Sequence, residues 1–154
     1  MNFSEEIHTV KGLDPVADAL SGTVYSDVVK MTGADHLTAI IHKGVGAVGT
    51  ATITVEACDD ATGANPVAIP FRYRAITDGD TPGALTRVEA TGFTTTAGSS
   101  QVYIIEVDSE YLGAIDKAWA RIKSVEVVND PVVAGILLFL CDLRFGPEFQ
   151  TAIA

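Results

Sequence analysis

The stretch IIHKGVGAVGTATITVE, residues 40–56, places Gly44, Gly46 and Gly49 in the spacing G-x-G-x-x-G directly after a strand-like segment. That spacing cradles a pyrophosphate only where a helix begins inside the motif, with its first amides on the phosphates, and where an acidic residue about 20 positions on holds the ribose. Here the motif opens onto ATITVE, which is β-branched and alternating, and the place for the acid reads Val67-Ala68-Ile69-Pro70. We therefore expect a loop between two antiparallel strands, with its glycines at positive φ, and no nucleotide site.

A second stretch, TDGDTPGALTRVE (residues 77–89), sets Asp78, Asp80, Gly83 and Glu89 at positions 1, 3, 6 and 12 of an EF-hand calcium loop. Position 5 is Pro82, which has no side-chain oxygen, and the flanks FRYRAI and RVEATGF have strand character where the motif needs helices. We read a solvated acidic hairpin tip, with weak calcium binding as the alternative. His36 and His42 share one face of a strand, but at about 3.3 Å per residue they stand roughly 20 Å apart, too far to ligate one metal. Cys58 and Cys141 lie in no C-x-x-C or Cys/His spacing, so they are read as small packing residues, with Cys58 on the polar side of its strand and partly exposed. No G-x-S-x-G nucleophile elbow occurs. The carboxylate pairs Asp59-Asp60 and Asp108/Glu110 fall at strand ends, where such residues face water. The sequence predicts no enzyme, no cofactor and no metal site.

Bulk properties narrow the class further. At 154 residues the chain suits one domain with a substantial core. A formal net charge of −10 argues against direct contact with nucleic acid, because phosphate binding draws on clustered Lys and Arg. The N-terminal MNFSEEIHTVKG has acidic residues and no apolar run, unlike a secretory signal. The longest apolar run, PVVAGILLFLCDL at residues 131–143, offers about ten uninterrupted apolar residues against the roughly 20 that a spanning helix needs, so no membrane partner is expected.

The elements that must position all these residues are strands. Alternation of period two sets Ala51, Ile53, Val55 and Ala57 against Thr50, Thr52, Thr54 and Glu56. The same pattern sets Leu37, Ala39 and Ile41 against His36, Thr38 and His42, and Ile69, Phe71 and Tyr73 against Arg72 and Arg74. Further strands are expected at residues 23–31, 86–93, 101–108 and 118–128, with turn-rich pieces MTGAD, DDATGANP, TDGDTPG and TTTAGSS between them. Residues 14–20 are expected to be a short helix, with Asp14 as N-cap and Pro15 at its first position, and residues 109–113 a turn. The fold class is all-β, an antiparallel β-sandwich or barrel with a short N-terminal helix. Residues 1–12 are read as an N-terminal arm and residues 13–154 as a single β domain.

The order VVKMTGADHLTAIIHKGVG, GTATITVEACDDATG, AIPFRYR, VYIIEVDSEYL and WARIKSVEVVNDPVVAGILLFLCDLRF resembles small virion structural proteins of tailed bacteriophages, often capsid decoration or cement proteins. The resembling features are Val29-Lys30-Met31, the T-I-T-V-E strand running into Cys58-Asp59-Asp60, the I-E-V-D-x-x-x-L segment ending at Leu112, and the leucine-rich last strand ending in Leu143-Arg144-Phe145. The resemblance implies a non-enzymatic protein made in the host bacterial cytoplasm and placed on the capsid surface of the virion, with the major capsid protein as its partner. It also implies self-association as a trimer. The alternatives are a tail or head-completion protein, or an unrelated β-sandwich module that binds carbohydrate or protein through exposed aromatics.

Two regions are candidates for the capsid or subunit interface. The arm carries Phe3, Ile7 and Val10, too sparse an apolar set to fold alone, and either docks on a partner or straps onto the protein's own core. In the last strand one face carries Val133, Leu137, Phe139, Cys141 and Leu143, the other Val132, Ala134, Ile136, Leu138 and Leu140. With both faces apolar, the strand needs a second cover, either the opposite layer of the domain or a neighbouring subunit. We name Val132, Ile136, Leu138 and Leu140 from it, together with Trp119, which shares a strand face with Arg121 and Lys123.

Overall fold

The computed structural model of the chain describes residues 2–45, 48–98, 100–144 and 152–153. In chain order these residues form α1 (Phe3–Glu6), β1 (His8–Val16), β2 (Thr23–Tyr25), β3 (Val29–Lys30), β4 (Ala34–Lys43), β5 (Thr50–Cys58), β6 (Val67–Ile69), β7 (Phe71–Asp78), β8 (Thr81–Pro82), β9 (Thr86–Val88), β10 (Phe93–Thr94), β11 (Gln101–Asp108), α2 (Ser109–Gly113), β12 (Trp119–Val128) and β13 (Ala134–Leu143). A seven-stranded sheet runs β1-β13-β4-β11-β7-β8 with β9 beside β7; a six-stranded sheet runs β10-β5-β12-β2 with β3 on β12 and β6 on β5. All these pairings are antiparallel.

The two sheets close over one core that takes Leu37, Ala39 and Ile41 from β4, Ile105 from β11 and Leu138 from β13 on one side, and Ile53, Val55 and Ile122 on the other. The fold is an all-β antiparallel sandwich. Alternation does the work that the sequence implied: along β11, Gln101, Tyr103, Ile105 and Val107 are buried while Val102, Ile104, Glu106 and Asp108 face outward. The buried Tyr103 hydroxyl donates to Gln101 Oε1 at 2.9 Å and accepts from the Thr96 amide at 2.8 Å, so its polar tip is satisfied inside the sandwich.

Several segments depart from the sequence expectation. Residues 14–20 are not helical; Asp14, Pro15 and Val16 finish β1, and residues 17–20 turn. Local capping signals lose there to the ladder with β13, in which Pro15 falls within the second of two register shifts, between Leu13 and Val16 at a sheet edge, a position open to proline. The short N-terminal helix is α1 instead. From His8 onward the expected arm is an edge strand of the larger sheet, and Val10 is a core residue at 7% exposure. Residues 23–31 break into β2 and β3 because Ser26 bonds Ile122 through both its amide and its hydroxyl, at 2.9 Å each. Residues 86–93 divide between the layers, β9 joining the larger sheet and Phe93 opening β10 in the smaller.

The glycine-rich segment is a crossover between layers, since β4 and β5 belong to different sheets. Positive φ occurs at Gly22, Gly63, Gly79, Gly92 and Gly98, and not at Gly44 or Gly49; Gly46, like Phe145 of the last motif, lies outside the described residues. Gly49 is required for space: a Cβ there would lie 2.3 Å from the Asp130 carbonyl oxygen and 2.5 Å from Val132 Cγ2. Asp78, Gly79 and Asp80 form the exposed tip of the β7–β8 hairpin, and strands flank residues 78–89 on both sides.

The last strand finds its cover within the chain. Val132, Ile136, Leu138 and Leu140 are all under 5% exposed and pack in the shared core, so they are not available as capsid or subunit contacts. The opposite face of β13 is the open one, with Leu137 at 45% exposure.

Candidate docking face and its charged cluster

Outward residues of the larger sheet meet in rows because directly paired residues in an antiparallel sheet project to the same side. His36 on β4 faces Asp108 on β11, Thr38 faces Glu106, and Glu106 in turn faces Arg72 on β7. His36 Nδ1 stands 2.9 Å from Asp108 Oδ1 and Nε2 stands 2.5 Å from Glu106 Oε2. A neutral imidazole has one donor and one lone pair, so a carboxylate at each nitrogen selects the doubly protonated ring. The hydrogen bond that His36 donates to Glu106 holds the His36 pKa above its ordinary value, against partial burial that pushes it down; the bond donated to Asp108 acts in the same direction as that to Glu106. Burial pushes the Glu106 carboxyl up, but bonds from His36 and from the Thr38 hydroxyl outweigh it and leave its pKa lowered. Arg72 Nη2 completes the cluster by donating to Asp108 Oδ2 at 3.0 Å.

Beside the cluster opens a cavity of about 410 Å³ lined by His36, Arg72, Arg74, Leu85, Ile104 and Glu106. Cys141 is the register partner of His36 across β13 and β4, a juxtaposition that invites a thiol–imidazole reading. Both ring nitrogens already serve carboxylates, the Cys141 thiol donates to the Phe139 carbonyl at 3.7 Å, and burial pushes that thiol's pKa up. A protonated thiol beside an occupied imidazolium lacks the activated pair that nucleophilic catalysis uses.

The outer face of the smaller sheet is built differently. Glu56 on β5 accepts from Arg121 Nη2 at 2.7 Å and from Lys123 Nζ at 3.2 Å, both on β12, and the Arg121 guanidinium lies 4.0 Å over the Tyr25 ring. Cys58, expected to be partly exposed, is fully buried next to this network, and burial pushes its pKa up. Trp119 is half-buried opposite Cys58 in register, with the Lys30 ammonium 5.9 Å above its ring. It shares its face with Arg121 and Lys123, as alternation requires.

Of the interface candidates Phe3, Ile7, Val10, Trp119, Val132, Ile136, Leu138 and Leu140, Phe3 alone both sits on the open face and stays largely exposed: its ring meets that of Phe139 edge-on at 5.4 Å, and the residue is 47% exposed. Ile7 closes α1 and is half-buried. The structure does not bring Trp119 to them, since it lies on the other sheet. The His36 cluster escaped sequence reasoning because its members come from three strands distant in the chain. A trace was present: Glu106 and Asp108, Arg72 and Arg74, and His36 and Thr38 are each spaced by two, which puts charge on one face of each strand.

No protein-family model and no curated protein matches the chain. Among solved structures it is similar to the SPBc2 prophage-derived protein YomS, at 14% identity and a TM-score of 0.45, covering 86% of this chain and 93% of that one. It is also similar to the infectious bursal disease virus VP2 subviral particle, at 12% identity and a TM-score of 0.28, covering 96% of this chain and 45% of that one. Likeness at these levels assigns neither a relative nor a role.

Proposed function

We propose that the chain is a non-enzymatic structural protein of a tailed-phage virion, a capsid decoration protein that binds the outer surface of the head through the major capsid protein. The observation that carries this is the contrast in finish between surfaces: the ionisable groups of the two clusters are engaged by one another, while a broad sheet face with exposed Leu137 is left without a cover among the described residues. A binding protein needs a rigid scaffold and a docking surface and no activated group. The sequence-level resemblance to small virion proteins supplies the class of partner. Trimeric assembly on the head would raise avidity without a strong single contact.

A carbohydrate-binding module is disfavoured by Trp119, whose ring is half-buried with Lys30 over it rather than presented as a platform. Electron microscopy of virions that carry this protein is the direct test. Density at regular positions on the head is expected; density on the tail alone would move the protein to the tail or head-completion class. Light scattering above micromolar concentration tests the trimer, which a strict monomer together with isolated single copies on the head would exclude.

A further inference from the structure

We propose that the outer face of the seven-stranded sheet carries a docking strip for one segment of a partner protein, an apolar run with an acidic residue at each end. The strip is a single cross-strand row. Lys11 on β1, Leu137 on β13, Ile40 on β4, Ile104 on β11 and Arg74 on β7 are successive register partners. Their side chains therefore project together, spanning roughly 19 Å at about 4.8 Å per strand. The middle three are apolar, and both ends are basic.

The charges inside the neighbouring cavity select the sign of the occupant. Its one lining carboxylate, Glu106, is already engaged by His36 and Thr38, and the adjoining Asp108 by His36 and Arg72. Two anions are thus matched by the His36 imidazolium and the Arg72 guanidinium. Arg74 is left half-buried in the cavity wall, with no acceptor among the described residues. A guanidinium there retains five donors and a charge that a carboxylate meets bidentately. At the other end Lys11 has only an exposed 3.7 Å contact with Asp14.

The chain also supplies an example of the chemistry that seats on this face. Helix α1 lays Phe3 on Phe139, the next same-side position to Leu137 on β13, and carries Glu5 and Glu6 beside it. Extension of the sheet is disfavoured, because β1 has two register shifts, the second containing Pro15, and the far edge ends at Pro82. The occupant crosses the strands over their face. This deepens the docking role proposed above and rests on it for the identity of the partner.

The probe is a synthetic peptide, acetyl-Glu-Gly-Leu-Ile-Leu-Gly-Glu-amide, titrated into the isotope-labelled whole chain by NMR beside the same peptide with Gln for Glu. Shifts are expected to gather at Ile40, Ile104 and Leu137, with affinity at least tenfold weaker for the Gln peptide and for the double variant Lys11→Glu/Arg74→Glu. The spectrum of that variant reports whether it is folded; should it fail, Arg74→Gln alone is used. Equal binding of the two peptides, unchanged affinity of the variant, or shifts gathered on the six-stranded sheet would overturn the strip. Cosedimentation with purified phage heads separates this from the broader role. Heads that bind wild type and charge-reversed chain alike sink the strip and leave head binding standing; heads that bind neither sink head binding, and the peptide then decides the strip by itself. A wild-type oligomer made monomeric by Leu137→Glu would show the strip to be a contact between copies and overturn the proposal.

Discussion

The two outer faces of the sandwich start from the same sequence pattern and end in opposite states. On the six-stranded sheet, Arg121 of the Glu56, Arg121 and Lys123 network is roofed by the turn through Gly63. That roof is pinned by Lys117, which donates to Asp59 Oδ1 at 2.6 Å and to the Asn65 carbonyl at 2.9 Å, and by Asp60, which accepts from the Thr62 amide at 2.8 Å. Gly63 has φ of 77°, and a Cβ there would fall 2.4 Å from Arg121 Nη1, so only glycine lets the roof lie this close to the guanidinium. The Glu56 and Arg121 side chains retain 8% and 11% exposure. On the seven-stranded sheet no loop among the described residues plays that part: the His36 and Asp108 side chains keep 20% and 40% exposure, and the apolar row beside them stays open. A closed charged face contributes to stability and specifies the fold; an open mixed one is free to bind.

Glu56→Ala is the strongest challenge to that distinction. The variant leaves Arg121, whose side chain is 11% exposed, charged without its carboxylate, and removing one member of a buried ion network costs about 3 kcal/mol or more. Urea or thermal denaturation should show a loss of that size with the native spectrum otherwise retained. A loss below about 1 kcal/mol, the range of surface pairs, would mean that the six-stranded face is as solvated as the other.

How much of this was legible depends on the range of the interactions involved. Period-two alternation located β4, β5, β11 and β12 to within a few residues, because burial of one face is written along each strand. It also placed Trp119 with Arg121 and Lys123. What alternation lacks is the identity of the neighbouring layer. Cys58 sits on the outward side of β5 and is nonetheless buried, beside Trp119, its register partner on β12, which no stretch near Cys58 announces. The inward residues of β13 could have faced a second subunit as readily as β5 and β12; only the pairing of sheets assigns them to the core. Asp14-Pro15 carried a sound helix-start signal that the ladder to β13 overrode. The His36 cluster needed the registers of β4, β11 and β7 together, and no single stretch of sequence encodes them.

An intermediate effect is expected from His36→Gln, and its pH dependence sharpens the comparison. His36 has a raised folded pKa, so between the ordinary value of 6.5 and that raised value the native state holds a proton which the unfolded chain has released. Stability from the clamp is complete below 6.5 and falls as pH rises through the folded pKa. Glu106 has a lowered folded pKa, so its share is complete above 4.5 and is lost as pH falls through the lower value. The clamp therefore supports the fold best in mildly acidic solution. Gln at position 36 should remove about 1 kcal/mol there, since these are charge-assisted bonds at a partly solvated site, and should abolish the decline above 6.5. Denaturation midpoints for both proteins from pH 5 to 8 provide the check; a decline that persists in the variant would assign it to another group.

The smallest effect is expected at Leu137, and it is the most pointed. An apolar residue that contributes to a core costs several kcal/mol when replaced by a polar one, whereas surface changes usually fall within about 0.5 kcal/mol. Leu137 is 45% exposed while Phe139, the next residue on the same side of β13, is held at 8% by contact that includes the Phe3 ring. Leu137→Ser should therefore leave the unfolding midpoint almost unchanged, and Phe139→Ser should lower it by a clear margin, although the two positions read alike in sequence. A loss of more than about 1 kcal/mol for Leu137→Ser, measured at a concentration low enough to prevent self-association, would mean that the face is already covered in the isolated chain. The seven-stranded sheet would then be as closed as the six-stranded one, and docking would have to be sought at the loops.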